Sequence, residues 1–269
     1  MTPERPRTGS LSAVLHALFY VFVFFSCQYV VTAGYMMSLM MGSSGTAFSL
    51  DEAALLSLME QVLSQTVMIT LISNLLTILV ICLIQTIRMR SPLEEFRIRP
   101  VNLMRIPTFL LFGASLNVFV SGTLSFLPLP EEIVAAFEDQ YSALYGDTPL
   151  WLEILSIAVI TGITEEIIFR GFLFKAMSRD SIKWAVVVSS VTFGLGHIIN
   201  LINGSGMGLM ENLVQIFFAV LIGFLYVIIF WRGGSLWPCV ISHGVLNSLS
   251  AFSATGESML RSVILCALV

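Results

Sequence analysis

The sequence predicts an all-α membrane protein, a polytopic bundle of seven to eight transmembrane helices around an intramembrane polar cavity. The 269 residues are 57% hydrophobic and only 11% charged, whereas soluble domains usually contain about 25% charged residues. The apolar residues form runs of the length that a helix needs to cross a bilayer, about 20 residues. Two adjacent carboxylates and two histidines lie inside such runs, so the bundle is expected to enclose polar groups.

Seven apolar runs are predicted to span the bilayer, and a shorter eighth run ends the chain. The first run follows Arg5 and Arg7 but is too long for the core of a signal peptide, so we expect a retained helix. Three regions result: N-terminal helices and loops (1–150), a catalytic-type core (151–255) and a short C-terminal apolar segment (256–269). The eight runs lie near 11–41, 66–86, 107–127, 151–177, 183–201, 212–231, 236–254 and 258–269.

The charges of the connections predict the orientation. Basic residues precede the first run and crowd every second connection, including five arginines between 88 and 105. The alternate connections, 42–65, 128–150 and 202–211, contain no Lys or Arg. The positive-inside rule therefore predicts a multi-pass protein of the cell membrane with a cytoplasmic N-terminus. Arg261 is the one cation that fits this topology poorly.

Two classes of function find no support in the composition. Nucleic-acid binding is not expected, because no basic patch is combined with aromatic residues. A disulfide framework or a thiolate zinc site is not expected either, because the cysteines form no CxxC pair and lie within or beside apolar runs. The four cysteines are Cys27, Cys82, Cys239 and Cys266.

The fourth run contains the adjacent carboxylates of Glu165 and Glu166. Each acidic residue at the centre of a membrane helix costs roughly 2.5–3.5 kcal/mol, so both need partners or a use. Arg170 follows Glu166 at i+4, which predicts an ion pair. Glu165 points about 100° away on the helix and is left free to act. The alternative is that both acids only hold helices together.

Two further runs contribute histidines. His197 closes the segment Phe193-Gly194-Leu195-Gly196-His197, whose glycines predict the close approach of a neighbouring helix. His243 and Asn247 lie at i and i+4, and each histidine taken alone could be a packing residue. At about 1.5 Å per residue, Glu165, His197 and Asn247 reach depths of roughly 17–21 Å and His243 roughly 11 Å. The depths permit these groups to converge.

Three motifs now carry a family resemblance: Glu165-Glu166-x-x-x-Arg170, Phe193-x-x-x-His197 and His243-x-x-x-Asn247. In this order, on separate apolar runs, they resemble the motifs of the CAAX protease and bacteriocin-processing family, also called the Abi family. Its best-known branch is the type II CAAX prenyl endopeptidases. The resemblance covers about 150–255 and implies a cavity open to the cytoplasm. It also implies hydrolysis of peptide bonds in membrane-associated substrates, including prenylated CAAX-type substrates.

The resemblance leads to a favoured mechanism without a cofactor. Glu165 and His197 polarise a water that attacks the scissile carbonyl, and His243 and Asn247 stabilise the developing oxyanion. The supporting residues are Glu166, Arg170 and Phe193.

The alternative mechanism is that of a zinc protease. Glu165, His197 and His243 would bind Zn²⁺, which would activate the water. The metal-free mechanism is favoured because Asn247 is a poor zinc ligand but a good oxyanion donor.

Other classes of function stay open beside the protease. A member of the same family can be a non-catalytic membrane scaffold or a bacteriocin self-immunity protein. A transporter with a buried proton relay would predict inverted repeats, which the sequence does not show. The expected partners are a peptide or protein substrate at the membrane and the lipid bilayer, with no nucleic acid.

Overall fold

Helices form along the predicted apolar runs, because a chain in lipid must satisfy its backbone hydrogen bonds internally. The structure, a computed structural model, describes residues 10–42, 52–126, 148–178, 181–201 and 208–254. These ranges contain helices and their connections, and no strand. The principal helices are α1 (Ser10–Gly42), α2 (Glu52–Ser64), α3 (Thr66–Ile87), α4 (Ile106–Phe126), α5 (150–177), α6 (Ile182–Leu195, continued as a 3₁₀ turn over Gly196–Leu201), α7 (Leu209–Gly233) and α8 (Trp237–Ala254).

Five segments in the described ranges are long and apolar enough to cross a membrane, and they lie in α1, α3, α4, α6 and α7. The predicted runs 151–177 and 236–254 are also helical, as α5 and α8. The predicted all-α membrane bundle is therefore confirmed. The eighth run, 258–269, lies outside the described residues.

The second half of helix α5 is surrounded by the other helices. Every residue from Glu166 to Phe174 is buried, as expected for a helix that is covered on all sides. On one side Phe172 stacks on Tyr20 of α1, with 3.8 Å between the ring centroids. On another side the hydroxyl of Ser189 in α6 donates to the carbonyl of Phe169 at 2.7 Å. The acidic motif therefore lies on the most enclosed helix of the bundle.

The basic connections meet at one end of the bundle. The ammonium of Lys175 donates to the carbonyl of Glu95 at 2.7 Å and lies 3.2 Å from its carboxylate. The hydroxyl of Ser235 donates to the carbonyl of Arg99 at 3.0 Å. The loops after α3, α5 and α7 thus lie together, as the alternation of charge requires. The side of the membrane on which they lie stays a prediction.

Of the two glycines near His197, Gly194 lies in close contact with a neighbouring helix, as predicted, and Gly196 does not. A methyl group added at Gly194 would lie 2.9 Å from the carbonyl oxygen of Ile216 in α7 and 2.3 Å from Val220. One added at Gly196 would meet only side-chain atoms at 3.9 Å or more. The interpretation was wrong for Gly196, because at that position the chain faces flexible aromatic rings instead of a neighbouring backbone.

Candidate active site

The acidic pair lies between two widened turns of α5. Ile154–Thr161 and Ile167–Phe174 are π-helical, and Gly162–Glu166 between them is α-helical. In keeping with the wider turn, the hydroxyl of Thr161 donates to the carbonyl of Ser156, five residues earlier, at 2.9 Å. π-Helical turns occur frequently at functional sites. The two flanking π-helical segments therefore indicate a functional site at Glu165 and Glu166, independently of the charges of these residues.

Glu166 and Arg170 form the ion pair that their spacing predicts. The guanidinium Nη1 of Arg170 lies 3.1 Å from Oε1 of Glu166, and both side chains are fully buried. Arg170 Nη2 also approaches the carbonyl oxygen of Gly223 in α7, at 3.5 Å. A buried charge without a partner is strongly destabilising. Glu166 and Arg170 can therefore be enclosed at the centre of the bundle only as a pair.

Two aromatic rings complete the surroundings of Arg170. Its Cζ atom lies 4.4 Å from the ring centroid of Phe193 and 5.5 Å from that of Tyr226. A guanidinium within about 6 Å of an aromatic ring is attracted by the negative face of the ring. Phe193, predicted as a supporting residue from its motif, therefore contacts the cation of the acidic motif directly.

His243 lies between the two carboxylates. Its Nδ1 is 2.9 Å from Oε1 of Glu166, so Nδ1–H donates to an oxygen that also faces Arg170. Its Nε2 is 3.7 Å from Oε2 of Glu165, which is too long for a direct hydrogen bond. The depth count made His243 shallower than Glu165 but permitted the groups to converge, and these two side chains do approach each other.

The residues of the acidic motif and its neighbours differ in how far they are enclosed. Glu166 and Arg170 are fully buried, whereas the side chain of Glu165 retains 15% exposure. His197 and Asn247 are half-buried. Of the groups expected to act on a substrate, Glu165, His197 and Asn247 are thus the more accessible ones, whereas His243 is buried.

His197 lies at the second residue of the 3₁₀ turn that continues α6. Its Nδ1 lies 3.3 Å from the carbonyl oxygen of Phe193. When Nδ1–H donates there, Nε2 keeps a free lone pair. The side-chain amide of Asn212 in α7 donates to the carbonyl of His197 at 2.8 Å, and Asn212 is fully buried. This bond satisfies a carbonyl at a point where the helix changes its hydrogen-bond pattern.

The rings of His197 and His243 lie against the same residue. Their centroids are 5.7 Å and 6.0 Å from that of Phe193, both edge-on. Phe193 therefore contacts both the histidine of its own motif and the histidine of the third motif. Asn247 is placed one turn after His243, and its amide donates to the carbonyl of Ile157 in α5 at 3.4 Å.

The predicted zinc ligands do not form a compact set. Glu165 approaches His243, whereas the polar contacts of His197 are with Phe193 and Asn212. In the described part of the chain, no group of three or more His, Cys, Asp or Glu side chains is placed to hold a metal ion. The residues as they stand do not fit a zinc site.

Sequence reasoning missed two residues that position the histidines. The Tyr226 ring is fully buried and lies 5.4 Å from the His243 ring. Asn212 holds the backbone of His197, as described above. Both lie on α7, which carries none of the three motifs. A buried Asn or Tyr inside an apolar run is a weak signal, because either residue can also pack without a role in the site.

A comparison with protein families found a match, and it covers the part of the chain that contains this site. Residues 147–249 match the family described as type II CAAX prenyl endopeptidase Rce1-like. No curated protein and no solved structure matches the chain. The predicted resemblance is confirmed: residues 147–249, which include all three motifs, match this Rce1-like family model, consistent with the CAAX protease and bacteriocin-processing family.

Proposed function

We propose that this chain is an intramembrane endopeptidase that hydrolyses peptide bonds of membrane-associated substrates, CAAX-type prenylated proteins among them. The observation that carries the proposal is the position of His243 between Glu165 and Glu166. The match to the family model supports the reaction class. We place the protein in the cell membrane with its N-terminus in the cytoplasm, from the charges of the connections.

Glu165 acts as the general base. Its carboxylate and His243 Nε2 are 3.7 Å apart, a separation at which a water can bond to both groups from one side. Glu166 accepts the Nδ1 proton of His243 and thereby turns the Nε2 lone pair toward the same point. A water held between these two acceptors loses a proton to Glu165 as it attacks the scissile carbonyl.

His197 of α6 and Asn247, which is on α8 like His243, supply the remaining groups of the proposed mechanism. With Nδ1–H directed at Phe193, His197 offers Nε2 as a second polarising group, as its motif implies. Asn247 donates only a long bond of 3.4 Å to Ile157. Such a donor readily exchanges its partner for the developing oxyanion, which is charged and binds more strongly. Glu165 then passes the proton of the water to Nε2 of His243, which donates to the oxyanion beside Asn247 and finally gives that proton to the leaving amine as the C–N bond breaks.

The mechanism requires no cofactor, and zinc remains the alternative to be tested. Two histidines and a carboxylate are a known catalytic zinc set, but His197 would have to leave its contact with Phe193 to join Glu165 and His243. A metal-dependent enzyme would therefore need a rearranged site.

The second candidate function is a non-catalytic scaffold or a self-immunity protein of the same family. The observation in its favour is the fully buried pair of Glu166 and Arg170, which links α5 to α7 and α8 irrespective of any reaction. The partial exposure of Glu165 and the separation that suits a water favour the protease.

The test compares cleavage products of membrane proteins in cells that contain the natural chain or Glu165→Ala, and then repeats the assay on purified protein with a membrane-anchored peptide. The proposal expects products that disappear with Glu165→Ala and persist in a strong chelator. Chelator-sensitive activity that stoichiometric Zn²⁺ restores would establish the zinc mechanism instead. Cellular function that survives Glu165→Ala, without any cleavage, would establish the scaffold.

A further inference from the structure

The connection between α3 and α4 is an ordered element of the fold. Residues 88–105, here called the basic connection, fold against the end of the bundle. Phe96 is buried, with its ring centroid 5.2 Å from that of Phe172 in α5. The backbone amide of Leu236 donates to the carbonyl of Arg97 at 3.1 Å. Together with the bonds from Lys175 and Ser235, these contacts fix the connection to α5 and α8.

The basic connection carries more positive charge than its own acids neutralise. It contains five arginines and two glutamates, a net charge of five minus two, or +3. One glutamate, Glu95, is already paired with Lys175 and Arg90. Within the described residues, Arg97, Arg99 and Arg105 form no ion pair. The connection therefore presents guanidinium groups that have no counterion in the described part of the chain.

The environment of Arg97 shows the same excess of charge. Burial and the neighbouring charge of Arg99 lower the pKa of Arg97 from its usual value. Arg97 also adopts a left-handed backbone conformation, with φ 53°, which is uncommon for a residue other than glycine. The conformation is that of a helix C-terminal cap, in which the amides of Arg97 and Ile98 donate to the carbonyls of Glu94 and Leu93, so the position of Arg97 beside Arg99 is fixed by the backbone. An anion beside Arg97 and Arg99 would relieve their mutual repulsion.

Large apolar side chains extend from the same connection. Met89 is 92% exposed and Met104 is 85% exposed, and Leu103 is also exposed. The connection follows one membrane span and precedes another, so these side chains lie at the level of the interface. Trp184, Trp231 and Trp237, which belong to the adjoining helix ends, are exposed as well. Tryptophan is enriched at this level of the bilayer.

We propose that the basic connection binds anionic phospholipid headgroups, with Arg99 and Arg105 contacting the phosphate and the exposed methionines entering the acyl boundary. Guanidinium groups bind phosphate in a planar, two-point geometry, and basic residues beside a membrane attract anionic lipids. A free anion would explain the arginines but not the methionines. Because the connection packs on α5, bound lipid stabilises the helix that carries Glu165 and Glu166.

The test uses the full chain in vesicles of equal phosphatidylglycerol and phosphatidylcholine, extracted into a neutral detergent, with the retained lipids quantified. Phosphatidylglycerol should be enriched on the natural chain. Arg99→Gln with Arg105→Gln should lower this enrichment by roughly five-fold for each arginine removed at low salt. Arg232→Gln is the matched control, an arginine on the same side that lies against the ring of Trp231, and it should retain the enrichment.

Two further measurements test whether positive charge on the connection causes the enrichment. The pair Arg99→Lys and Arg105→Lys should keep most of the enrichment, since the charge remains. Salt at 1 M, where the screening length falls to about 3 Å, should abolish the enrichment on the natural chain. Unchanged enrichment in the double glutamine variant would overturn the proposal. So would thermal protection by inorganic phosphate equal to that by phosphatidylglycerol, which would assign the site to a free anion.

Discussion

The two halves of the polar site differ in how far they are enclosed. Glu166, Arg170 and His243 are buried and connected by contacts of 2.9 Å and 3.1 Å. Glu165 and Asn247 are partly exposed, and their polar contacts are 3.7 Å and 3.4 Å long. The comparison shows that the charges of one half are already paired within the protein, while the other half holds groups that can exchange their partners for a substrate.

The difference follows from the cost of charge in an apolar interior. A buried ion without a partner is destabilising by several kcal/mol, so Glu166 can be enclosed only together with Arg170. A reacting carboxylate has the opposite requirement, because it must contact water and substrate. Adjacent positions on α5 meet both requirements, since Glu165 and Glu166 point in directions about 100° apart.

The largest effect on stability is expected from Arg170→Ala. This change leaves Glu166 fully buried without its counterion, which typically costs roughly 3–5 kcal/mol. The free energy of unfolding in detergent and the yield of folded protein should both fall. Arg232→Ala is the control and should change neither. Normal stability of Arg170→Ala would show that the fold does not depend on the buried ion pair of Glu166 and Arg170.

Asn247→Ala should lower the rate of the reaction without changing the stability of the protein, because Asn247 belongs to the partly exposed half of the site. Loss of one oxyanion donor lowers kcat by roughly 10²–10³, while KM for a membrane-anchored peptide and the unfolding midpoint should stay nearly unchanged. The measurement is steady-state cleavage of that peptide by purified protein. A decrease below ten-fold, with activity that depends on added Zn²⁺, would contradict the metal-free mechanism.

A smaller effect is expected where α6 packs on α7. Gly194→Ala adds a methyl group 2.9 Å from the backbone oxygen of Ile216, and overpacking of this kind costs about 1–3 kcal/mol. Activity should fall as well, because α6 carries His197. Gly34→Ala is the matched control, since nothing lies within 4 Å of its added methyl. Equal stability of the two variants would show that α6 tolerates displacement and that His197 is not held by this contact.

The smallest effect on the protein is expected from two cysteines introduced to test the topology. Met89→Cys lies on the exposed part of the basic connection. Gly45→Cys lies in the connection 42–65, which contains no Lys or Arg. In intact cells, a membrane-impermeant reagent should label position 45 and not position 89. The parent chain without either change reports the background from its own cysteines. The reverse pattern would invert the orientation.

The sequence was sufficient for those features that depend on one helix at a time. Apolar runs of sufficient length predicted α1 and α3 to within a residue or two at most ends, because hydropathy and bilayer thickness determine them directly. The contact between Glu166 and Arg170 followed from the i, i+4 spacing. The order of the three motifs predicted the family.

Features that depend on contacts between helices were not predictable in the same way. The position of His243 between the two glutamates depends on how α8 packs against α5, and no spacing within a single helix specifies that contact. Tyr226 and Asn212 act through the rotation of α7 against α6 and α8, which hydropathy does not determine. The roles of Glu165, His197, His243 and Asn247 in a reaction remain predictions.

The central claim is that the adjacent glutamates have different tasks, and Glu165→Gln and Glu166→Gln measured side by side test it most directly. Each variant is purified, and both peptide cleavage and the free energy of unfolding are recorded. Glu165→Gln should lose roughly 10²-fold or more in kcat and keep the stability of the natural chain. Glu166→Gln should lose stability, because Arg170 then lacks its counterion. Full activity in Glu165→Gln, or an equal loss of stability in both variants, would contradict the account.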